Sequence, residues 1–259
     1  MLLAKIQHIK DQAKSCEKAA DAILKEFKNL YLNEEGILPF LDIEEINTSE
    51  DSTEKNNKII YEKTKIFLEK AEKCTALGCN NSITFPCFEA FAKKFDNPGL
   101  VVFDAHPNCM IDPESTNKSY LKALIENNIL KKENVILIGL RSWHRDEYKF
   151  LKDNKIKVFA MKEISSEQLQ EISDSVMSVA KNFGALYISI DIDAVDPAAA
   201  PGTNDTEPGG LTSRELLFLL SKLKLLKNLK FIDLVNIEPE KDLNNLTVKL
   251  GAKIISEMC

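Results

Sequence analysis

Several residue types and patterns are scarce in this 259-residue chain, and each absence excludes a class of protein. The net charge is −6 and only three of the 34 basic residues are arginine, so we expect no nucleic acid partner. No apolar run approaches the roughly 18 residues of a membrane span, so we expect no membrane association. The Gly-rich loops that hold nucleotide phosphates are also missing.

The six cysteines show neither a C-x-x-C pair nor a regular spacing. We find no secretory signal ahead of them, and the acidic Asp11 and Glu17 with no early arginine argue against a transit peptide. The sequence therefore predicts reduced thiols in a cytoplasmic protein.

Short apolar runs alternate with amphipathic stretches along most of the chain, which is typical of a parallel sheet with helices on both faces. The first part differs, because apolar residues at helical spacing predict one long helix over residues 2–30. We expect a single domain, 1–259, with a mostly parallel sheet in a three-layer αβα sandwich. Strands are predicted at 36–43, 75–78, 100–104, 135–139, 157–159, 185–190 and 231–235, helices at 58–70, 82–95, 120–127, 147–154, 166–183 and 213–225, and a polar loop at 47–57.

Two carboxylates follow the apolar run 185–190. Asp191 and Asp193 are two residues apart, so on an extended strand their side chains point the same way. Two carboxylates at a buried strand end need positive charge nearby, and hard divalent cations prefer carboxylate oxygens. A solvated acidic loop is the alternative, which the apolar run before the pair disfavours. We predict that this pair binds a metal.

A second pair with the same spacing follows the apolar run 100–103. Asp104 and His106 share a face there, and an Asp/His pair at a strand end is suited to a transition metal. A lone histidine is more often structural than a ligand. Because ligand sites in parallel sheets lie at the carboxyl ends of strands, we expect the two pairs to form one composite site.

Five segments resemble the ureohydrolase family, which includes arginase and agmatinase, and they follow the family's order from about residue 75 to 242. The longest, 189–203 with 207–212, is similar to the signature S-x-D-x-D-x-x-D-P…A-P-G-T…E-P-G-G-L-T. The others are 104–106 (D-A-H), 77–83 (in place of G-G-D-H-S), 138–142 (like G-I-R-S) and 233–239 (like D-x-V-E-x-N-P). The resemblance implies an arginase-type fold, with about 60 divergent and mainly helical N-terminal residues.

The resemblance further implies two adjacent Mn²⁺ ions bridged by a hydroxide that attacks a guanidino or amidine carbon. The second ion needs a histidine and an aspartate where this chain has Asn81 and Asn108. Amide oxygens bind hard cations more weakly than carboxylates do, so we expect at most one divalent ion per chain, Mn²⁺ or another. The alternative is that the chain binds no metal. The ligands implied for the remaining ion are all present: Asp104, His106, Asp191 and Asp193.

The substrate-binding positions are also altered. The carboxylate that the family uses to hold a guanidinium group is replaced by Asn236, and Glu238 stands where the family has asparagine. We predict both as substrate-binding residues, although Glu238 lies about 6.6 Å further along an extended strand. No catalytic residue is assigned.

Several neighbouring residues allow more than one interpretation. Arg141 is expected to be structural and to pair with a carboxylate, and Trp143 and His144 either line the mouth of a cleft or lie on the surface without a role. Cys79 and Cys109 flank the altered half-site, where they would bind a softer metal or, as buried cysteines usually do, only pack.

Two functions from different classes remain open. The first is a metal-dependent hydrolase that cleaves C–N bonds of linear amidine or guanidino compounds at a reduced, single-metal site. One metal held by Asp–His–Asp is also what the resemblance implies for deacetylases of the same fold. The alternative is a catalytically silent member of the family that acts as a structural or regulatory partner. In either case we expect a homo-oligomer.

Overall fold

One parallel sheet forms the centre of the part of the chain that the structure describes. The structure is a computed structural model, and it describes residues 1–8, 16–48, 52–111, 117–164 and 168–259. The eight strands lie in the order β2-β1-β3-β8-β7-β4-β5-β6, with parallel pairing throughout. They are β1 (Leu2–His8), β2 (Asp42–Thr48), β3 (Cys74–Leu77), β4 (Pro98–Phe103), β5 (Val135–Leu140), β6 (Lys157–Ala160), β7 (Ala185–Asp191) and β8 (Leu229–Val235).

Helices cover both faces of the sheet. Those of the described residues are α1 (Ala19–Phe27), α2 (Thr53–Lys70), α3 (Thr84–Lys94), α4 (Tyr120–Glu126), α5 (Arg145–Asp153), α6 (Leu169–Ala180), α7 (Ser213–Lys224) and α8 (Leu246–Met258). Apolar side chains of α1, α6, α7 and α8 form one core with the sheet, and those of α2 to α5 form a second core on the opposite face. The predicted three-layer αβα sandwich with a parallel sheet is confirmed.

The central strands are apolar on both sides because both of their faces are covered. In β4, Val101 and Phe103 belong to one core while Leu100 and Val102 belong to the other. All seven residues of β7 are buried. These strands therefore read as continuous apolar runs, which is why the sequence located them to within two residues.

The N-terminal prediction was wrong. Residues 2–8 form strand β1 between β2 and β3 instead of the start of a long helix. Residues 9–15 lie outside the described residues, and a 3-10 helix and α1 follow from Cys16 to Phe27. Leu3 packs into one core while Leu2, Ala4 and Ile6 pack into the other. A short apolar run of this kind fits a buried strand and a helix equally well by periodicity alone. The predicted strand at 36–43 lies instead at Asp42–Thr48.

Further predictions needed smaller corrections. The helix expected at 58–70 begins at Thr53, within the predicted polar loop, of which residues 49–51 lie outside the described residues. The start predicted for α6, Ser166, also lies outside them. Helix α8 was not predicted. It contains Gly251, a residue that weakens a helical pattern, and a Cβ there would lie 2.7 Å from the side chain of Ile237.

The prediction of six reduced thiols was also wrong, since Cys16 and Cys79 form a disulfide across 63 residues of sequence. Cys74, Cys87, Cys109 and Cys259 are free. Among the described helices, none combines the length and the apolar character needed to cross a bilayer.

Candidate metal centre

Four adjacent strands, β3, β8, β7 and β4, bring polar residues to one edge of the sheet. Asn81 follows β3, Asn236 follows β8, Asp191 ends β7 and Asp104 follows β4. All four line one cavity of about 240 Å³. The carboxyl ends of parallel strands are the usual place for a ligand site in such a sheet, and the two sequence pairs meet there as expected.

Asp104, His106 and Asp193 form the tightest group in this cavity. Each offers one potential ligand atom, and these atoms lie within 4.8 Å of one another. Nδ1 of His106 is 3.0 Å from Oδ2 of Asp193 and 3.6 Å from Oδ1 of Asp104. The backbone orients both carboxylates, because the amide of Ala105 donates to Asp193 over 2.9 Å and that of His106 to Asp104 over 2.7 Å. This donor set suits one divalent ion.

Asp191, the fourth predicted ligand, lines the same cavity but lies outside this tight group. Its Oδ1 accepts two hydrogen bonds, one from the backbone amide of Asp193 and one from Nδ2 of Asn236, and each is 2.9 Å long. Asp191 therefore holds the loop that carries Asp193.

Amide side chains occupy the positions where the ureohydrolase motifs carry ionisable groups. Nδ2 of Asn108 donates to Oδ2 of Asp104 over 2.6 Å, as Asn236 does to Asp191. Both asparagines have left-handed backbones, with φ of 51° and 68°, a region that asparagine tolerates better than most residues. Asn81 is buried, and its Nδ2 has no hydrogen-bond partner among the described residues.

The carboxyl groups of the cavity are short of positive charge. Burial, reinforced by the charge of Asp193, raises the pKa of both Asp104 and Asp191 well above the usual range. Burial alone would lower the pKa of His106, but its hydrogen bonds with Asp104 and Asp193 raise it to about 11. A divalent cation among these groups would supply the compensating positive charge.

The two predicted substrate-binding residues lie in different places. Asn236 lines the cavity. Glu238 is fully buried and accepts a hydrogen bond of 2.7 Å from Nδ2 of Asn204, so it is Asn204 that faces the cavity. Glu238 thus stands behind the wall of the site and supports it, and the prediction that it contacts substrate does not fit this position.

Arg141 ties the loops of the site together. Its Nη2 donates hydrogen bonds of 2.6 Å to the backbone carbonyls of Asp193 and Glu207. The residue is structural as expected, but carbonyl oxygens take the place of the predicted carboxylate. Below it, Gly139 has φ of 97°, and a Cβ there would lie 3.2 Å from the carbonyl oxygen of Asp104. Arg141 and Gly139 thereby fix the loops that carry Asp193 and Asp104.

Sequence reasoning missed several residues around the cavity. Glu207 lies 3.5 Å from Nε2 of His106, and its place in the E-P-G-G-L-T segment was the available signal. Glu147 lines the cavity and accepts hydrogen bonds from the backbone amides of Cys109 and His144. Trp143 and His144 line the cavity, so of the two interpretations left open for them, the position along a cleft fits the structure. Cys79 is bonded to Cys16 and burial raises the pKa of the Cys109 thiol, so neither supports a softer metal.

Comparison with known proteins agrees with this geometry. The model described as "Arginase family" matches residues 6–259, which extends the similarity to the N-terminal segment that carries none of the motifs. An arginase of Staphylococcus aureus (strain MRSA252) is 31% identical over 221 residues, covering 79% of this chain and 72% of that protein. An agmatinase of Bacillus subtilis (strain 168) is 29% identical over 223 residues, covering 85% and 74% respectively.

The fold agrees with solved structures of the same group. The crystal structure of formimidoylglutamase from Bacillus subtilis superposes with a TM-score of 0.92 at 22% identity, covering 99% of this chain and 85% of that one. The match to the family model and the similarity to the relatives together identify the family. Members of this family are hydrolases that normally bind divalent metals. The chain belongs to the arginase family.

Proposed function

We propose that this protein is a metal-dependent hydrolase that cleaves a C–N bond of a linear amidine or guanidino compound at a site for a single divalent ion. The observation that carries the proposal is the close group of Asp104, His106 and Asp193 in the cavity. Membership of the arginase family supports the reaction class. Mn²⁺ is the ion we expect, with Asp191 as a further ligand or as the support of Asp193.

The surroundings of this group favour one ion over two. At the second position, Asn108 turns its Nδ2 toward Asp104, and an N–H donor cannot act as a metal ligand in that orientation. Asn81 replaces an imidazole by an amide. A lone ion needs fewer carboxylates, and the remaining acidic groups are then satisfied by N–H donors of the chain.

A divalent ion at this site would supply a Lewis acid that lowers the pKa of water. In the reaction class proposed, water adds to the amidine carbon, the C–N bond to the leaving amine breaks, and a proton from the water passes to the departing nitrogen. Glu207, 3.5 Å from Nε2 of His106, would orient the imidazole as a metal ligand. Asn236 offers an amide oxygen to a substrate N–H. Because it carries no charge, it favours a substrate less cationic than a guanidinium.

The second candidate is a catalytically silent family member that acts as a structural or regulatory partner. The hydrogen bonds of Asn108 and Asn236 favour it, since they stabilise the carboxylates without any ion. Metal binding separates the two candidates more directly than activity does, because an unknown substrate can hide an active enzyme.

The decisive experiment loads the purified protein with Mn²⁺, removes excess metal and measures the metal by elemental analysis. We expect one ion per chain. Asp193→Asn keeps the shape of the side chain and should weaken Mn²⁺ binding by at least about 100-fold. Asp205→Asn, at an exposed position of the same cavity, is the matched control and should leave the affinity within about threefold.

Activity is then measured on the loaded protein with arginine, agmatine and N-formimidoylglutamate, the compounds that the relatives' names designate. Release of urea or of formamide that is lost in Asp193→Asn supports the hydrolase. No bound metal under any condition would overturn the hydrolase in favour of the silent partner, and two ions per chain would overturn the single-metal site.

A further inference from the structure

A second cavity, of about 330 Å³, lies beside the sheet edge formed by β6. Its floor is apolar, with Leu151 and Ile156 buried and Val158 half-buried. Trp143 and Tyr148 form one wall, where their rings are 5.8 Å apart between centroids at 31°. This volume lies in the range of small-molecule sites, which combine an apolar lining with a few polar groups.

The polar groups around this second cavity are mainly cationic. Lys152, Lys155 and Lys162 line it together with one acid, Glu163, and all four are exposed. The remainder of the chain is acidic, with a net charge of −6 overall. A local excess of ammonium groups over an apolar floor is complementary to a molecule with an apolar body and an anionic end.

The backbone at Lys155 points to a role for its side chain. Helix α5 ends in a Schellman motif, in which the amide of Lys155 donates to the carbonyl of Lys152 and that of Ile156 to the carbonyl of Leu151, both over 3.1 Å. Lys155 thereby has φ of 54°, at the position where glycine is usual. A lysine is unfavourable in this conformation. Residues that a structure holds in an unfavourable backbone conformation are often part of a binding site. Here the lysine puts an ammonium group at the rim.

Trp143, the one tryptophan of the chain, lines both this cavity and the metal-centre cavity. The two cavities differ in the ionisable side chains that line them. The metal-centre cavity carries Asp104, Asp191 and Asp193, whereas the second carries the three lysines. An anion without metal affinity should therefore prefer the second cavity, and Trp143 should report its arrival.

We propose that the cavity between α5 and β6 is a binding site for a small organic anion, with an aryl or alkyl body against Trp143, Tyr148 and Val158 and its carboxylate or phosphate at the lysine rim. This site is separate from the chemistry at the metal centre. It requires neither a metal ion nor a catalytically active protein.

The test titrates the metal-free full chain with 3-phenylpropionate and with its neutral analogue 3-phenylpropionamide. Binding is followed by Trp143 fluorescence excited at a wavelength where the phenyl group does not absorb, and by calorimetry. We expect saturable binding of the acid by about 10 mM, a reasonable range for a fragment of this size. The acid should bind about tenfold more tightly than the amide, because only it forms charge-assisted contacts with the lysines.

Variants separate the lysine contact from folding. Lys155→Gly removes the ammonium group and suits the left-handed backbone, so the affinity for the acid should fall about fivefold to tenfold while the melting temperature stays equal or rises. Asn128→Gly is the matched control, since Asn128 ends α4 in the same way with φ of 56° but lies outside the cavity lining; it should leave both affinities unchanged. Val158→Phe fills the floor and should abolish binding of both compounds.

Equal affinities for acid and amide would overturn the proposal, as would the absence of saturable binding. Acid affinity that is retained in both Lys155→Gly and Val158→Phe would place the ligand elsewhere and would also overturn it.

Discussion

Asn236 donates a hydrogen bond from Nδ2 to Oδ1 of Asp191 over 2.9 Å, at the position where the ureohydrolase motif carries a glutamate. The same oxygen of Asp191 accepts the backbone amide of Asp193. Replacement of the acid at 236 therefore supplies a donor to a buried carboxylate and removes a negative charge from beside it. We expect this change to stabilise the cavity without ligands and to weaken its fit to a cationic substrate.

The first prediction concerns this pair. Asn236→Asp retains the shape of the side chain but places a second carboxylate against Oδ1 of Asp191. The contact between the two side chains is buried. We expect the free energy of unfolding of the metal-free protein to fall by about 2–4 kcal/mol at pH 7. The loss should shrink in acid, where the pair shares a proton, and on addition of Mn²⁺. Urea denaturation at several pH values, with and without Mn²⁺, measures this.

Asn244→Asp is the matched control, because Asn244 also has a left-handed backbone, with φ of 53°, but is exposed. Its stability should change by less than about 0.5 kcal/mol. Equal effects of the two substitutions would mean that the backbone conformation, and not the contact with Asp191, determines the cost.

The second prediction restores the family's side chains. Asn81→His, Asn108→Asp and Asn236→Glu together provide an imidazole and two carboxylates where the structure has amides around Asp104 and Asp191. We expect Mn²⁺ stoichiometry to rise from one to two per chain, with urea released from arginine or agmatine. The double variant Asn81→His, Asn108→Asp isolates the metal effect from that of position 236. A stoichiometry that stays at one would show that the backbone around residues 81 and 108 no longer fits a second ion.

The sequence indicated this cluster because the predicted ligands lie at or just after the ends of strands. Asp104 and Asp191 adjoin β4 and β7, which are apolar on both faces. His106 and Asp193 lie just beyond the strands, Asp193 in the 3-10 helix Ile192–Ala194, so it is these turns that set their direction and not the alternation of an extended strand. The strand order that makes β4 and β7 neighbours was not readable from spacing. No strand order was predicted, and the expectation of one composite site rested on the carboxyl ends of strands as the usual place for ligands.

Other features depended on contacts between distant residues. The strand β1 resembles a helix by periodicity, and only its pairing with β2 and β3 makes it a strand. Glu238 was predicted to bind substrate because it lies two residues after Asn236 and could compensate for the missing carboxylate, yet its contact with Asn204 across 34 residues puts it behind the cavity wall. Residue type indicates what a side chain can do, whereas its position in the fold determines what it reaches.

The third prediction concerns the disulfide between Cys16 and Cys79. It closes a loop of 63 residues and joins the segment before α1 to the chain just before Asn80 and Asn81. We expect thiol titration of the unfolded, unreduced protein to find four free thiols, and six after reduction. Cys16→Ser should lower the free energy of unfolding by about 4 kcal/mol, the loop-entropy value for this length.

Dithiothreitol provides the control for the disulfide, since the wild-type chain and Cys16→Ser should then differ by less than about 1 kcal/mol. Six reactive thiols in protein prepared without reductant would contradict the bond.

The last prediction uses Asp233, which lies within β8 and is fully buried. Burial raises its pKa from 3.8 to about 6, against the opposing effect of hydrogen bonds that include one of 2.6 Å from the hydroxyl of Tyr187. A carboxyl whose pKa is higher in the folded state favours folding when protonated. Its contribution to stability is therefore complete below about pH 4 and is lost as the pH rises through about 6.

Asp233→Asn removes this ionisation and keeps an acceptor for Tyr187. At pH 7 the free energy of unfolding should rise by about 1–3 kcal/mol, since a shift of about two pKa units corresponds to about 3 kcal/mol and a charge-assisted hydrogen bond is lost. Near pH 4 the variant and the wild-type chain should be almost equal in stability. Asp174→Asn, on the exposed side of α6, should follow the wild-type pH profile throughout. Parallel profiles for Asp233→Asn and the wild-type chain would show that other groups determine the pH dependence, because only the difference in stability between the variant and the wild-type chain isolates the ionisation of Asp233.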